Sequence, residues 1–289
     1  MRSPRQRNLS LAAALSALAL ALASCGTTAG SGTSSSSHPT TTARNANSVA
    51  VRWMVASGAL HLLSQAARQL IENSPNNLII YAPSQTPANT PAVPVATFRS
   101  YASLATTLAD GGLSKRFKYV LLDLEVWQFT PANEQADPIL YYQEAARLLK
   151  NYGLELIAAP GSNIFAQSPS LSGPNYQRML SSGLFGAVAP FAAIFSIQSQ
   201  SLEFKPSLFS AYVSQAASAL RSANPSIVVF AGLSTNPPAG TASASQLSAA
   251  MNSVSTSVHG FWLNIPKPGP SCPNCNPVNA AAANDLLSS

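Results

Sequence analysis

From residue 77 onward, apolar runs of strand length alternate with amphipathic stretches of helix length, and no other feature restricts the fold as strongly. NLIIYAPS (77–84), FKYVLLDLEVW (117–127), LELIAAPG (154–161), AAIFSIQSQ (192–200), SIVVFAGLSTN (226–236) and HGFWLNIP (259–266) read as strands. Helices are expected near 97–110, at 137–153, near 174–184, at 206–222 and 243–257, and near 277–287. The second of these opens with Asp137-Pro138 and stops at Gly153, a well-formed start and end. Residues 48–73 fit either a strand at 48–55 followed by a helix or one long helix, because Val49, Val51 and Val55 suit both. Strict β-then-α order implies an α/β fold with parallel strands and right-handed crossovers.

Side-chain parity separates the two architectures left, an open doubly wound sheet and a closed barrel. In 119–127 one face is Val120, Leu122, Leu124 and Val126; the other is Tyr119, Leu121, Asp123, Glu125 and Trp127. Ile227, Val229, Ala231 and Leu233 oppose Val228, Phe230, Gly232, Ser234 and Asn236. Phe261, Leu263 and Ile265 oppose Gly260, Trp262 and Asn264, while Ser196, Gln198 and Gln200 share one parity. An open sheet covered on both faces would keep both parities aliphatic. A barrel has one helix-covered face and one lumen face with polar groups gathered at the carboxyl mouth. The expectation is therefore a parallel, TIM-like (β/α)-barrel of seven or eight strands over residues 47–289.

In that barrel Asp123 and Glu125 point into the mouth as the candidate catalytic pair. Two carboxyls two residues apart on one face repel when ionised, which raises one pKa and keeps a proton available. Trp127 and Trp262 offer flat apolar faces to sugar rings, and Gln198, Gln200, Ser234, Asn236 and Asn264 suit hydroxyl recognition. Tyr81, in the NLIIY run, completes the expected substrate-binding set. Glu203 is the other acid placed to join as a second carboxylate. The D-L-E stretch at 123–125 resembles the end of the catalytic strand of chitinase-type glycoside hydrolases. That resemblance implies Glu125 as general acid and Asp123 as the group that steadies an attacking N-acetyl. The sequence departs from the motif at Leu121 and Tyr119, where the family has Asp. Two further readings stay open: a structural network in which Gln198, Gln200 and Lys118 or Arg52 satisfy the pair, and non-catalytic binding of carbohydrate or cell-wall fragments.

The N-terminal segment carries an address. Arg2, Arg5 and Arg7 precede an apolar stretch from Leu9 to Leu22 that is short and Ala-rich for a membrane span. The following LASCG resembles a bacterial lipobox, which implies a signal peptide at 1–24 and a lipid on Cys25. Residues 25–46 are rich in Ser and Thr and bury too little to fold, so they read as a flexible tether with a reach of roughly 25 Å. The expected location is the extracytoplasmic face of the cell membrane, with the barrel a monomer. Sixteen basic and ten acidic residues give +6, which falls to +3 once the three leader arginines are set aside. The remaining cations are scattered, and nucleic acid is not an expected partner. DLEVWQFTPANEQADP (123–138), IQSQS (197–201), AGLSTNPP (231–238) and FWLNIPKPGPSCPNCNP (261–277) resemble secreted barrel proteins of actinobacteria, which implies an exported barrel and brings no reaction with it.

Cys272 and Cys275 lie in a Pro-rich loop after the last strand, where an oxidising compartment favours a short disulfide. Their C-P-N-C spacing resembles a glutaredoxin-type motif, although that motif belongs after the first strand of a smaller fold. His38, His61 and His259 are isolated in sequence, so no metal site is expected. No phosphate loop or dinucleotide fingerprint is present, and no cofactor is expected.

Overall fold

The ambiguous start of the domain is a strand. In the computed structural model, which describes residues 51–269, 275 and 277–289, β1 (Arg52–Ala56) is followed by two short helices, α1 (Ser57–Leu60) and α2 (Gln65–Glu72). The leader at 1–24, the expected lipid site Cys25, the tether at 25–46 and Cys272 fall outside the described residues, and the Cys272–Cys275 pairing with them. Cys275 itself is buried.

β2 (Leu78–Tyr81) and β3 (Val93–Phe98) follow without an intervening helix. The remaining strands are β4 (Tyr119–Leu122), β5 (Glu155–Ala158), β6 (Ile194–Ile197), β7 (Val228–Ser234) and β8 (Gly260–Asn264). Each pairs in parallel with its neighbour, and β8 closes on β1 through Arg52↔Gly260, Trp53↔Phe261 and Met54↔Trp262. The barrel therefore has eight strands. The eighth is β3, at a position the sequence pattern gave to a loop and the start of a helix. Pro94 weakens its strand signal, yet the site is tolerated because it lies near the start of the strand.

Outer helices comprise α3 (Tyr101–Ala109), α4 (Ala132–Ala136), α5 (Pro138–Lys150), α6 (Asn175–Ser181), α7 (Leu184–Val188), α8 (Pro206–Ala223), α9 (Ala244–Val254) and α10 (Ala280–Ser288). The expected helix near 174–184 is two, divided at Gly183, whose φ of 76° suits glycine. Capping follows the sequence: the Asp137 side chain accepts from Leu140 N at 3.2 Å, and Ser243 with Gln246 forms a capping box. Glu134, buried in α4, accepts from Tyr101 N at 2.6 Å and Ala102 N at 2.9 Å, so α4 caps the N-terminus of α3.

Two apolar clusters divide by strand parity. Val120, Leu122, Val229, Ala231, Phe261 and Leu263 pack outward against the helices. The lumen cluster holds Met54, Val95, Ile157 and Phe230 from odd strands and Ile80, Leu121 and Trp262 from even ones. Such barrels fill in layers contributed by alternate strands. The layer nearer the mouth is Ala56, Thr97, Ala159 and Gly232, and this drop in side-chain volume leaves space above Trp262 and Leu121. Large residues plug the lumen below, and small ones open it above.

Candidate active site

The carboxyl end of β4 positions the acid pair. Beyond Leu122 the chain stays extended: Asp123 N donates to Phe98 O at 2.8 Å, and Gly161 N donates to Leu124 O at 2.9 Å. Parity is thereby kept, and both Asp123 and Glu125 line a cavity of about 980 Å³ at the barrel mouth. The turn that follows is fixed by Thr130, whose hydroxyl donates to Arg99 O at 2.8 Å and accepts from Trp127 Nε1 at 2.7 Å and Glu125 N at 3.3 Å. Gln135 Nε2 donates to Trp127 O at 2.9 Å, and Asn163 Oδ1 accepts from Val126 N at 3.2 Å. Every one of these contacts holds the Glu125–Trp127 segment in place. Gly161 is required beside it, since a Cβ there would lie 2.3 Å from Glu125 Cγ.

The two carboxyl groups hydrogen-bond to each other. Burial raises Asp123 well above the ordinary carboxylate range, and the neighbouring Glu125 charge raises it further, against the opposing pull of Arg99. Glu125 is raised by burial as well, but the hydrogen bond from Asp123 and the Arg99 charge both favour its ionised form. Burial and the proximity of the two carboxyls thus favour one proton held between them, Asp123 being the more strongly raised. Asp123 Oδ1 is enclosed and has no hydrogen-bond partner among the described residues. The same is true of Ser196 Oγ and Trp262 Nε1, which share the layer below. Three buried polar atoms at and beneath the cavity floor are thus left without a partner among the described residues.

Trp127, Gln198, Gln200, Ser234, Asn236, Trp262 and Asn264 all line the same cavity. Gln200 Nε2 donates to Gln198 Oε1 at 2.6 Å, and the Gln200 amide lies where a Cβ on Gly232 would stand. Asn236 Nδ2 donates to Pro277 O at 3.0 Å, tying the rim to the C-terminal segment. Tyr81 is elsewhere. Its neighbour Ile80 takes the inward parity, so Tyr81 faces outward against Phe117, with ring centroids 6.3 Å apart. It borders a smaller groove of about 390 Å³ with Ser57, His61 and Gln85, away from the acids.

Glu203 does not line the cavity. It is 2 % exposed and accepts from Ser234 N through Oε1, with Oε2 unpartnered; burial pushes it up to about 9. Neither cation expected near the acids is there as a partner. Arg52 donates to Asn76 O at 3.0 Å and lies over the Phe230 ring, while Lys118 lies over Tyr119. The cations in the cavity wall are Lys267 and Arg99, the latter one residue past β3 and stacked 5.2 Å from the Trp127 ring and 4.6 Å from Phe129. With β3 hidden in the sequence pattern, so was Arg99. His259 Nδ1 accepts from Val229 N at 3.0 Å, a structural role. Among the described residues no group of three or more His, Cys, Asp and Glu side chains could hold a metal ion.

No family model and no curated protein matches the chain. Solved structures similar to it include the spore cortex-lytic enzyme SleL of Bacillus megaterium, at 9 % identity and TM-score 0.47, covering 76 % of this chain and 72 % of that one. A chitinase from Chromobacterium violaceum aligns at 12 % identity and TM-score 0.45 over 83 % and 99 % of the two chains. A class V chitinase from Pseudomonas fluorescens aligns at 10 % and 0.47 over the same shares. Likeness at this level says nothing of the reaction, which has to be argued from the side chains of the cavity.

Proposed function

We propose that this protein is a glycoside hydrolase-like enzyme whose Asp123–Glu125 pair supplies one proton to a β-linked glycan of 2-acetamido sugars. The observation that carries this reading is the hydrogen-bonded pair itself, set in the wall of the mouth cavity. Carboxyls in contact cannot straddle a sugar ring, which calls for a separation of about 5–5.5 Å or 6.5–9.5 Å. Among the described residues no other acid lines the cavity. The resemblance to chitinase-type enzymes then implies a nucleophile supplied by the substrate, the acetamido oxygen at C2 lying within reach of C1.

In this scheme Asp123 passes its proton to Glu125 as substrate displaces the resting hydrogen bond. Glu125 gives the proton to the glycosidic oxygen as the C1–O bond breaks and the acetamido oxygen attacks C1. Asp123, now ionised, accepts from the acetamido N–H. Glu125 then takes a proton from water as that water opens the cyclic intermediate, which restores the pair. Glu125→Gln is expected to reduce hydrolysis of N-acetylglucosamine oligomers by about a thousandfold or more with a melting temperature close to wild type. Unfolding, or undiminished turnover, contradicts it.

A second reading, glycan binding without turnover, is favoured by Leu121 and Tyr119, which are apolar lumen residues where the chitinase-type motif has acids. Affinity without product, lost in Trp262→Ala, is its signature. In either case the barrel is proposed to sit on the extracytoplasmic face of the membrane, held by acylated Cys25. Metabolic labelling with palmitate that persists in Cys25→Ser counts against that anchor.

A further inference from the structure

Arg99 is unlike the other cations of the barrel. Its guanidinium forms no ion pair within 4 Å, since the two pairs among the described residues are Arg68 with Glu72 and Arg147 with Glu144. Among the described residues the guanidinium donates no hydrogen bond to the protein either; Arg99 accepts one through its backbone oxygen, from the Thr130 hydroxyl. What holds the side chain is stacking, 4.6 Å from the Phe129 centroid and 5.2 Å from that of Trp127, two rings set edge to face at 5.2 Å. A planar cation is thus oriented by aromatic surfaces and leaves its fork of N–H donors unspent on the cavity wall.

The charge of the cavity points the same way. Four ionisable side chains line it among the described residues: Arg99, Lys267, Asp123 and Glu125. Burial and the contact between the two carboxyls favour a proton on the acid pair, which reduces its negative charge. Two cations thus face a partly neutralised acid pair in a space otherwise lined by amides, hydroxyls, aromatic rings and small apolar groups. A neutral sugar would leave the cations' charge unmatched by the ligand and would leave the guanidinium donors facing only its hydroxyls. A carboxylate can take two parallel N–H···O bonds from Arg99, the arrangement in which arginine exceeds lysine.

We propose that Arg99 reads a carboxylate on the substrate, so that the cavity selects acidic glycans over neutral ones of equal length. This rests on the glycan-binding reading of the mouth and adds a substrate class to it. The carboxylate could belong to a lactyl ether, as on a muramic acid unit, or to a uronic acid; both present the same group, at different positions on the ring.

Affinity measured by calorimetry on the full-length protein distinguishes these. The probes are N-acetylglucosaminyl-N-acetylmuramic acid, the same disaccharide with its carboxylate amidated, N,N′-diacetylchitobiose, and a glucuronic acid–N-acetylglucosamine disaccharide. Wild-type protein is expected to bind one of the two acids about tenfold to a hundredfold more tightly than the neutral sugars. Arg99→Gln abolishes that preference, and Arg99→Lys, which keeps the charge and loses the fork, retains part of it. Equal affinity for the acidic disaccharides and the amidated or neutral ones overturns the inference while leaving the glycan reading intact. An acid preference unchanged in a folded Arg99→Gln overturns it too, by moving the recognition elsewhere. Binding of none of the four defeats both. Should Arg99→Gln fail to fold, the acid-against-amide comparison in wild type still decides.

Discussion

Two acidic sites lie at the carboxyl end of the barrel, one after β4 and one after β6, and burial drives both toward the protonated form. After β4, Asp123 meets a second carboxyl and the field of Arg99, and both side chains line the cavity. After β6, Glu203 meets a single backbone N–H, from Ser234, and is enclosed. The difference teaches that burial alone makes a carboxyl neutral without making it useful. A proton becomes transferable when a second acceptor shares it and a substrate can reach it. The Asp123–Glu125 pair sets two carboxyls together in a cavity wall; Glu203 has neither a carboxyl neighbour nor a place in that wall, and it accepts from Ser234 N.

Space around the pair is the sharpest way to break this contrast. Gly161→Ala would place a Cβ 2.3 Å from Glu125 Cγ and 2.8 Å from its Cδ, forcing the carboxyl out of line. Turnover is expected to fall about a hundredfold, the usual consequence of moving a reacting group by about 1 Å. Gly232→Ala, on the other side, meets only the terminal amide of Gln200 at 2.6 Å, a flexible end that can swing away. Its loss is expected to stay under about tenfold. Steady-state rates of the two variants side by side check the ranking.

Stability against pH separates the sites next. Glu203 is raised to about 9 in the folded protein from an ordinary value of 4.5. Below 4.5 both folded and unfolded forms hold the proton, and its contribution to stability is fully present. As pH rises from there to about 9, the unfolded chain releases the proton while the folded one keeps it. Stability is lost over that window, at no more than about 1.4 kcal/mol per pH unit. Glu203→Gln cannot ionise and keeps an acceptor for Ser234 N. Urea denaturation should therefore find it gaining on wild type as pH rises from 5 to 8, with turnover little changed. A constant difference across that range would mean that Glu203 is already ionised.

Much of this was legible in the sequence, and the failures have causes. Parity in FKYVLLDLEVW and SIVVFAGLSTN assigned the lumen and helix faces, because a closed parallel sheet imposes different chemistry on its two sides. Val93–Phe98 is hidden in the sequence because it follows β2 after a loop without a helix and contains Pro94. Missing that strand also hid Arg99, which needs β3 to reach the mouth. Tyr81 stands outside the site because Ile80 beside it takes the lumen face, a parity that the NLIIY run already carries. The pairing of Asp123 with Glu125 was visible as spacing, but which of them holds the proton depends on Arg99 and on enclosure, which only the fold supplies.

The most direct test of the shared proton is a carbon-13 titration of the aspartate and glutamate side-chain carboxyls in full-length protein, compared with Glu125→Gln. Asp123 is expected to stay protonated well above the ordinary carboxylate range, and to titrate lower once the Glu125 charge is removed. If Asp123 instead ionises near 4, as an isolated aspartate does, and ignores the Glu125 substitution, no proton is shared and the proposed chemistry has no source for it.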